Sequence, residues 1–147
     1  MATLTQQLIQ GKKGKVILCQ GPGDNAIISE LQSCLRAVNY KIIKDADLVE
    51  ISQLLKMVDL YIGFDSGVTH LAAALGIPTI AIFGPTDVER WSPKGPHVDV
   101  VLAEPCQCPD WDFVRQCEKK ICMSHSIDDI VQVVERRLSF QKKVFYK

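Results

Sequence analysis

Short apolar runs alternate along the chain with segments whose apolar residues recur every three or four positions. Short runs rich in β-branched residues predict strands, and the three-to-four spacing predicts helices. Strands and helices that alternate in this way are typical of an α/β protein with a parallel sheet. The predicted strands are residues 15–20, 40–43, 60–64, 79–83 and 98–102, and the predicted helices are 4–9, 26–38, 48–57, 67–75 and 127–138.

The stretch Asp65–Pro78 predicts a turn from a strand into a short helix. Ser66 is a favoured helix cap, and Gly67 leaves room for a ligand to approach the backbone. The first helical turn then presents the free N–H groups of Gly67, Val68 and Thr69 at the carboxyl end of the strand, where the helix dipole favours an anion. The stretch therefore predicts a phosphate-binding site.

The rest of this helix has a predicted buried side and a predicted open side. Its sheet-facing residues are expected to be Val68, Leu71, Ala72 and Leu75, which fall at helical spacing. His70 lies off this apolar face, so we expect it to look into a cleft or into solvent. Gly76 is expected to end the helix in a left-handed conformation.

The run DSGVTHLAAALGIPTIAIFGPTDVERWSPKGP resembles the signature of glycosyltransferase family 9, which includes the lipopolysaccharide heptosyltransferases. The shared features, in order, are D-S/T-G-x-x-H-L-A-A-A-L-G-x-P, F-G-P-T and W-x-P. The resemblance extends more weakly over nearly the whole chain, and only to the second half of the family's proteins. It implies a Rossmann-like parallel sheet with helices on both faces, the C-terminal, donor-binding half of a two-domain glycosyltransferase of the GT-B type.

Residues 1–147 are thus predicted to form a single nucleotide-sugar-binding domain. Within it we expect an N-terminal helix and linker over 1–14, a cysteine-rich loop over 104–125, and a C-terminal helix and tail over 126–147.

The resemblance also implies that the chain binds a nucleotide-diphosphate sugar, such as ADP-heptose, for transfer to a lipopolysaccharide-type acceptor. A helix N-terminus can stabilise the departing diphosphate without a metal ion, so no cofactor is expected. The expected donor-binding residues are Asp24, Asp65, Ser66, Gly67, Val68, Thr69, His70 and Thr86.

Several of these residues have a structural alternative. Asp24 either accepts from a ribose hydroxyl or caps the helix that follows it, and Thr86 either donates to a phosphate or caps the next short helix. His70 either donates to a phosphate oxygen or caps a neighbouring loop. The segment Asp45–Leu48 departs from the family's base-binding loop, which leaves the identity of the base open.

Composition excludes several other functions. The 17 basic and 17 acidic residues cancel, so no nucleic acid is expected as a partner. No apolar run approaches the roughly 18 residues of a transmembrane helix, and no signal-peptide pattern is present. We expect a cytoplasmic protein whose membrane contact is at most peripheral, through the acceptor.

Four of the six cysteines lie close together in the sequence, at Cys106, Cys108, Cys117 and Cys122. Four thiolates suffice for a structural zinc site, but the spacing lacks the usual paired knuckles. Disulfides and free, redox-labile thiols are the alternatives. Cys19 and Cys34 are expected to be small core residues.

The family's general base is expected in an N-terminal acceptor-binding domain that this sequence does not show, so we expect the chain alone to be inactive. It would then be a fragment, a truncated product or one subunit of a split enzyme. Two other functions remain open, a non-catalytic nucleotide-binding module and a metal or redox module that uses the cysteines. A sugar-nucleotide epimerase of similar architecture is a more distant alternative.

Overall fold

The structure is a computed structural model that describes residues 15–35, 40–105, 107, 108 and 110–144, together with Leu4 and Gln7, which are helical. Most of the predicted N-terminal helix and linker, the end of the predicted tail, and Cys106 lie outside the described residues.

Strands and helices alternate as the hydrophobic pattern predicts. The strands are β1 (Val16–Gln20), β2 (Tyr40–Lys44), β3 (Tyr61–Phe64), β4 (Thr79–Phe83) and β5 (Val98–Leu102). The helices are α1 (Asn25–Cys34), α2 (Leu48–Leu55), α3 (Gly67–Ala74), α4 (Val88–Trp91), α5 (Trp111–Gln116) and α6 (Ile127–Val144), with a 3₁₀ turn at Ile121–Met123.

All strand pairs are parallel, as predicted. β1 pairs with β2, with Val16 opposite Tyr40. A separate three-stranded sheet has the order β3-β4-β5, with Tyr61 opposite Thr79 and Thr79 opposite Val98. Parallel neighbours require a crossover between them, and α1, α3 and α4 lie in these crossovers.

Contacts within the chain define two compact units, one up to Ile51 and one from Ser52 onward. The first has a small core of Ile28, Leu31 and Leu35 from α1 and the residue after it, packed against Leu18, Tyr40 and Ile42 of the sheet. Cys19 is exposed, so the prediction that it is a small core residue is wrong. Strand alternation places its side chain opposite the face that carries Leu18.

The core of the second unit is built around β4, all of whose residues are buried. β4 is buried because it lies between β3 and β5 and its faces are covered by other elements. α3 packs on β3 and β4, and α6 packs on β5. Side chains of Ala72, Val101, Ile130 and Val134 complete this core.

The C-terminal helix α6 begins at a serine cap and buries an apolar face. The Ser126 hydroxyl accepts from the N–H of Asp129 at 3.2 Å, and Ile130 and Val134 are buried. Asp99 on β5 accepts from Arg136 at 3.0 Å and also from Arg137. These contacts fasten α6 to an outer strand of the sheet.

The cysteine-rich segment contains more regular structure than the predicted loop. The Asp110 carboxylate accepts from the N–H groups of Asp112 and Phe113, at 2.9 and 3.1 Å, and so begins α5. A helix this short has no apolar periodicity from which it could be predicted. Among the described residues, no helix is both long enough and apolar enough to cross a membrane.

Candidate functional site

The turn between β3 and α3 is formed by Asp65 and Ser66. Ser66 has an extended backbone, with φ −161° and ψ 161°, and its hydroxyl accepts from the N–H of Thr69 at 3.4 Å. The predicted N-cap is therefore confirmed. It ends β3 abruptly and starts α3 at Gly67.

Two backbone donors remain open at this N-terminus. The N–H groups of Thr69 and His70 both donate to the carbonyl oxygen of Ser66, at 3.1 and 3.2 Å. The N–H groups of Gly67 and Val68 have no acceptor within the described part of the chain. The start of α3 thus offers an anion fewer free N–H groups than predicted, because the N–H of Thr69 already donates to Ser66 within the turn.

The space above Gly67 is empty. A Cβ placed on Gly67 would meet nothing within 4 Å, and the φ of Gly67 lies outside the left-handed region. Neither packing nor backbone conformation therefore requires glycine here. Gly76 differs, because its φ of 74° is the left-handed conformation predicted for the end of the helix. A ligand close to the backbone would account for glycine at 67.

Two polar side chains flank this opening. Asp65 is half-buried, and within the described residues its carboxylate makes neither a hydrogen bond nor an ion pair. His70 is exposed, as its position off the apolar face predicts. Both side chains are available to a ligand.

Of the residues predicted to face the sheet, Ala72 is buried, whereas Val68, Leu71 and Leu75 are half-buried. Thr69 also lies on the buried side of α3. It is fully buried and its hydroxyl donates to the carbonyl oxygen of Phe64 at 2.5 Å. The Thr69 hydroxyl oxygen also lies 3.0 Å from the Ser66 hydroxyl and 3.4 Å from that of Tyr61. The small residues Ala72 and Ala73 share this side, which brings the helix axis close to the sheet.

The loop after β4 contains the second predicted group of this edge. Because β3 and β4 are parallel neighbours, Gly84–Thr86 begins at the same edge of the sheet as Asp65. The next helix, α4, is capped by Asp87, whose carboxylate accepts from the N–H groups of Glu89 and Arg90 at 3.0 and 3.4 Å. The alternative role of Thr86 as that cap is therefore wrong, and its hydroxyl has no partner among the described residues.

His125, the last residue of the cysteine-rich segment 104–125, lies at the ends of these two strands. Its Nε2 is 2.7 Å from the carbonyl oxygen of Phe83, and its ring packs edge-on against Phe64 with centroids 6.5 Å apart. No sequence signal pairs His125 with a residue 42 positions away.

Asp24 belongs to the first compact unit. Its Oδ2 accepts from the N–H of Gly21 at 2.8 Å, which closes the turn between β1 and α1. Its side chain makes no hydrogen bond to the N-terminus of α1. Asp24 therefore stabilises the turn, and the alternative role of its side chain as the cap of α1 is wrong.

The cysteine-rich segment surrounds a cavity of about 300 Å³ beside Pro85. Its lining residues are Pro85, Val114, Cys117, Lys120, Cys122 and Met123. Within the described residues, which exclude Cys106, no three His, Cys, Asp or Glu side chains are grouped so that they could hold a metal ion. Cys117 forms no disulfide bond.

Comparison with known proteins agrees with the sequence motif. The family model of glycosyltransferase family 9 (heptosyltransferase) matches residues 2–122. Lipopolysaccharide heptosyltransferase 3 of Escherichia coli is 34% identical over 82 residues, which are 54% of this chain and 24% of that protein. Lipooligosaccharide heptosyltransferase 2 of Campylobacter jejuni subsp. jejuni is 31% identical over 106 residues, which are 64% of this chain and 33% of that protein. The matched region therefore spans only 24% and 33% of the length of these two relatives.

The fold also has a counterpart among solved structures. The crystal structure of the glycosyl transferase family 9 protein from Veillonella parvula DSM 2008 superposes with a TM-score of 0.71 and 17% sequence identity. The superposition covers 93% of this chain and 40% of that one. This likeness supports a GT-B type α/β fold. Because the family model covers most of its length, the chain belongs to glycosyltransferase family 9, the heptosyltransferase family.

Proposed function

We propose that this chain binds the donor of a glycosyl transfer, a nucleoside-diphosphate sugar, and that the donor is ADP-heptose. The observation that carries the proposal is the opening at the start of α3, where the N–H groups of Gly67 and Val68 are without acceptors beneath empty space. Membership of the heptosyltransferase family supports the choice of sugar, and the relatives named for lipopolysaccharide and lipooligosaccharide support an acceptor of that type.

The chemistry of this site is charge stabilisation. When the bond from the sugar to the diphosphate breaks, negative charge develops on the leaving group, and fixed N–H donors at a helix N-terminus stabilise it without reorganising. In this proposal Gly67 and Val68 bind the diphosphate, and His70 donates to a phosphate oxygen from the exposed side of the same turn. Asp65 accepts from hydroxyl groups of the sugar or ribose.

The acceptor and its general base lie outside this site. The region matched here covers 24% and 33% of two heptosyltransferases, which supports a partner domain or subunit that binds the acceptor and supplies the general base. Transfer is therefore expected only when that partner is present, whereas donor binding is expected from this chain alone. Asp24 as the ribose contact and Thr86 as a phosphate contact remain predictions within this proposal.

Calorimetric titration of the purified chain with ADP, UDP and GDP tests the proposal. We expect binding of ADP in preference to the other two, and the same affinity with and without EDTA, because the proposal assigns the charge stabilisation to the helix N-terminus. Gly67→Ala is expected to weaken ADP binding at least tenfold, about 1.4 kcal/mol, because its Cβ fills the space above the free N–H groups.

The matched control is Gly76→Ala in the same helix region. Its positive φ makes alanine cost about 1 kcal/mol of folding stability, yet it lies at the far end of α3 and should leave ADP affinity unchanged. If a folded wild-type chain binds none of the three nucleotides, or if Gly67→Ala binds as well as wild type, the proposed site is wrong. If the chain binds ADP but no glycosyl transfer occurs after an acceptor-binding domain of the family is added, a non-catalytic nucleotide-binding module is favoured instead.

A further inference from the structure

His125 lies behind the candidate site and contacts the last residues of two strands. A carbonyl oxygen only accepts, so the 2.7 Å contact between Nε2 and Phe83 places a proton on Nε2. Its Nδ1 is 3.2 Å from the carbonyl oxygen of Met123, two residues earlier. The hydrogen bond from Nε2 thus joins the ring to the end of β4.

The two strand residues that His125 contacts directly precede the two loops of the site. Phe64, whose ring meets the imidazole at an interplanar angle of 69°, is followed by Asp65 and the turn into α3. Phe83 is followed by the loop Gly84–Thr86. The His125 side chain therefore contacts the residue that precedes each of the two loops.

Met123 adds a second contact of the same segment with the second loop. A Cβ placed on Gly84 would lie 2.5 Å from the Sδ of Met123 and 3.5 Å from the carbonyl oxygen of Cys122. The segment Cys122–His125 thus packs directly on the first residue of the loop. Gly84 leaves the room that this packing needs.

We propose that His125 is a positioning residue of the donor site. Through Phe83 and Phe64 it holds the ends of β4 and β3, and so sets the placement of the loop Gly84–Thr86 relative to the N–H groups of Gly67 and Val68. The cysteine-rich segment then serves the site as a support for the sheet edge, through the part of it that carries Met123 and His125. This inference rests on the proposed function for its ligand, although the two loop contacts stand without it.

Two variants of His125 separate the hydrogen bond from simple volume. His125→Leu keeps a bulky side chain against Phe64 but has no donor for the carbonyl oxygen of Phe83. His125→Gln restores an N–H donor on a flexible side chain. We expect ADP affinity to fall at least fivefold in His125→Leu and to recover most of that loss in His125→Gln.

Val134→Ala is the control for general destabilisation. Val134 is buried in α6, away from the two loops in sequence, and its truncation is expected to lower folding stability. If Val134→Ala weakens ADP binding as much as His125→Leu at a temperature where both are folded, His125 acts only through stability and the proposal is overturned. Unchanged affinity in His125→Leu overturns it equally.

A measurement without ligand keeps this inference separate from the proposed function. Backbone ¹⁵N relaxation measures the order parameter S² of each amide. In His125→Leu we expect S² at Gly67 and Gly84 to fall from about 0.85, typical of rigid backbone, towards about 0.6. Val101 in β5 should stay rigid. Absence of nucleotide binding by the wild type would refute the proposed function alone. Unchanged order at Gly67 and Gly84 would refute the role of His125 alone.

Discussion

The hydroxyl of Thr69 donates to the carbonyl oxygen of Phe64 at 2.5 Å and so ties the first turn of α3 to the last residue of β3. Thr69 is fully buried, so its hydroxyl depends on partners within the protein. The geometry of the open N–H groups at Gly67 and Val68 therefore depends on a side chain that no ligand can reach.

Thr69→Val tests this dependence, because valine preserves the shape of threonine and removes its donor. We expect a loss of about 0.5 to 1.5 kcal/mol in the free energy of unfolding, since the hydrogen bond from the Thr69 hydroxyl to Phe64 is removed, and a weaker affinity for ADP. Urea unfolding and calorimetry measure the two effects.

Thr79→Val is the matched control for that experiment. Thr79 is equally buried and its hydroxyl donates to the carbonyl oxygen of Ile77 at 2.8 Å, at the opposite end of β4 from the site. It should destabilise the fold without changing ADP affinity. Equal losses of ADP affinity in both variants would contradict the specific role of Thr69.

The packing of Met123 on Gly84 predicts a coupled pair of substitutions. Gly84→Ala is expected to lower the free energy of unfolding by about 1 to 3 kcal/mol, because the new Cβ would meet the Sδ of Met123 at 2.5 Å. In a Met123→Ala background the same change should cost much less. A double-mutant cycle by denaturant unfolding measures this coupling, and additive effects would show that the two residues do not meet as described.

The ion pairs of Asp99 predict a difference between partly buried and exposed charges. Asp99→Asn should cost about 1 to 3 kcal/mol, because Arg136 and Arg137 both donate to a carboxylate that is only 15% exposed. Asp112→Asn, in contrast, removes a pair with Arg115 whose side chains are 82% and 78% exposed, and should cost less than about 0.5 kcal/mol. Thermal unfolding of the two variants measures the difference. Equal falls in their unfolding temperatures would contradict the prediction.

Cys19 predicts a pH dependence. Desolvation of the sulfur raises the pKa of the Cys19 thiol above its ordinary value of 9.0, although the residue as a whole is exposed. Because the folded chain keeps this proton after the unfolded chain has lost it, the thiol's contribution to stability is complete below the ordinary pKa and disappears as the pH rises through the raised one.

Alkylation by iodoacetamide measures the same shift directly. At pH 8 Cys19 should react more slowly in the folded chain than in urea, since less of it is thiolate, and its rate should climb at a higher pH than in urea. Peptide mass spectrometry identifies the site, with Cys19→Ser as the blank. A folded rate equal to the unfolded one would contradict the raised pKa.

Much of the architecture follows from local sequence. The mostly apolar runs at 79–83 and 98–102 predict β4 and β5 with the bounds that the structure has, because short runs rich in β-branched residues favour the strand conformation. Ser66 and Gly76 mark the start and end of α3 for a similar reason, since capping and left-handed backbone depend on the residue itself and its immediate neighbours.

The support of the site depends on contacts that only the tertiary structure makes. The sequence assigned the buried side of α3 to Val68, Leu71, Ala72 and Leu75. The structure buries Ala72 as predicted, but it also buries Thr69 and Ala73, because small side chains let the helix approach the sheet closely. His125 illustrates the limit further, since its acceptor at Phe83 lies 42 residues away. The sequence by itself determined the family, the strands and the residues at the opening of the candidate site. Tertiary packing decided which N–H groups stay without an acceptor and which side chains contact the two loops. Those features depend on distances between segments, which local patterns do not encode.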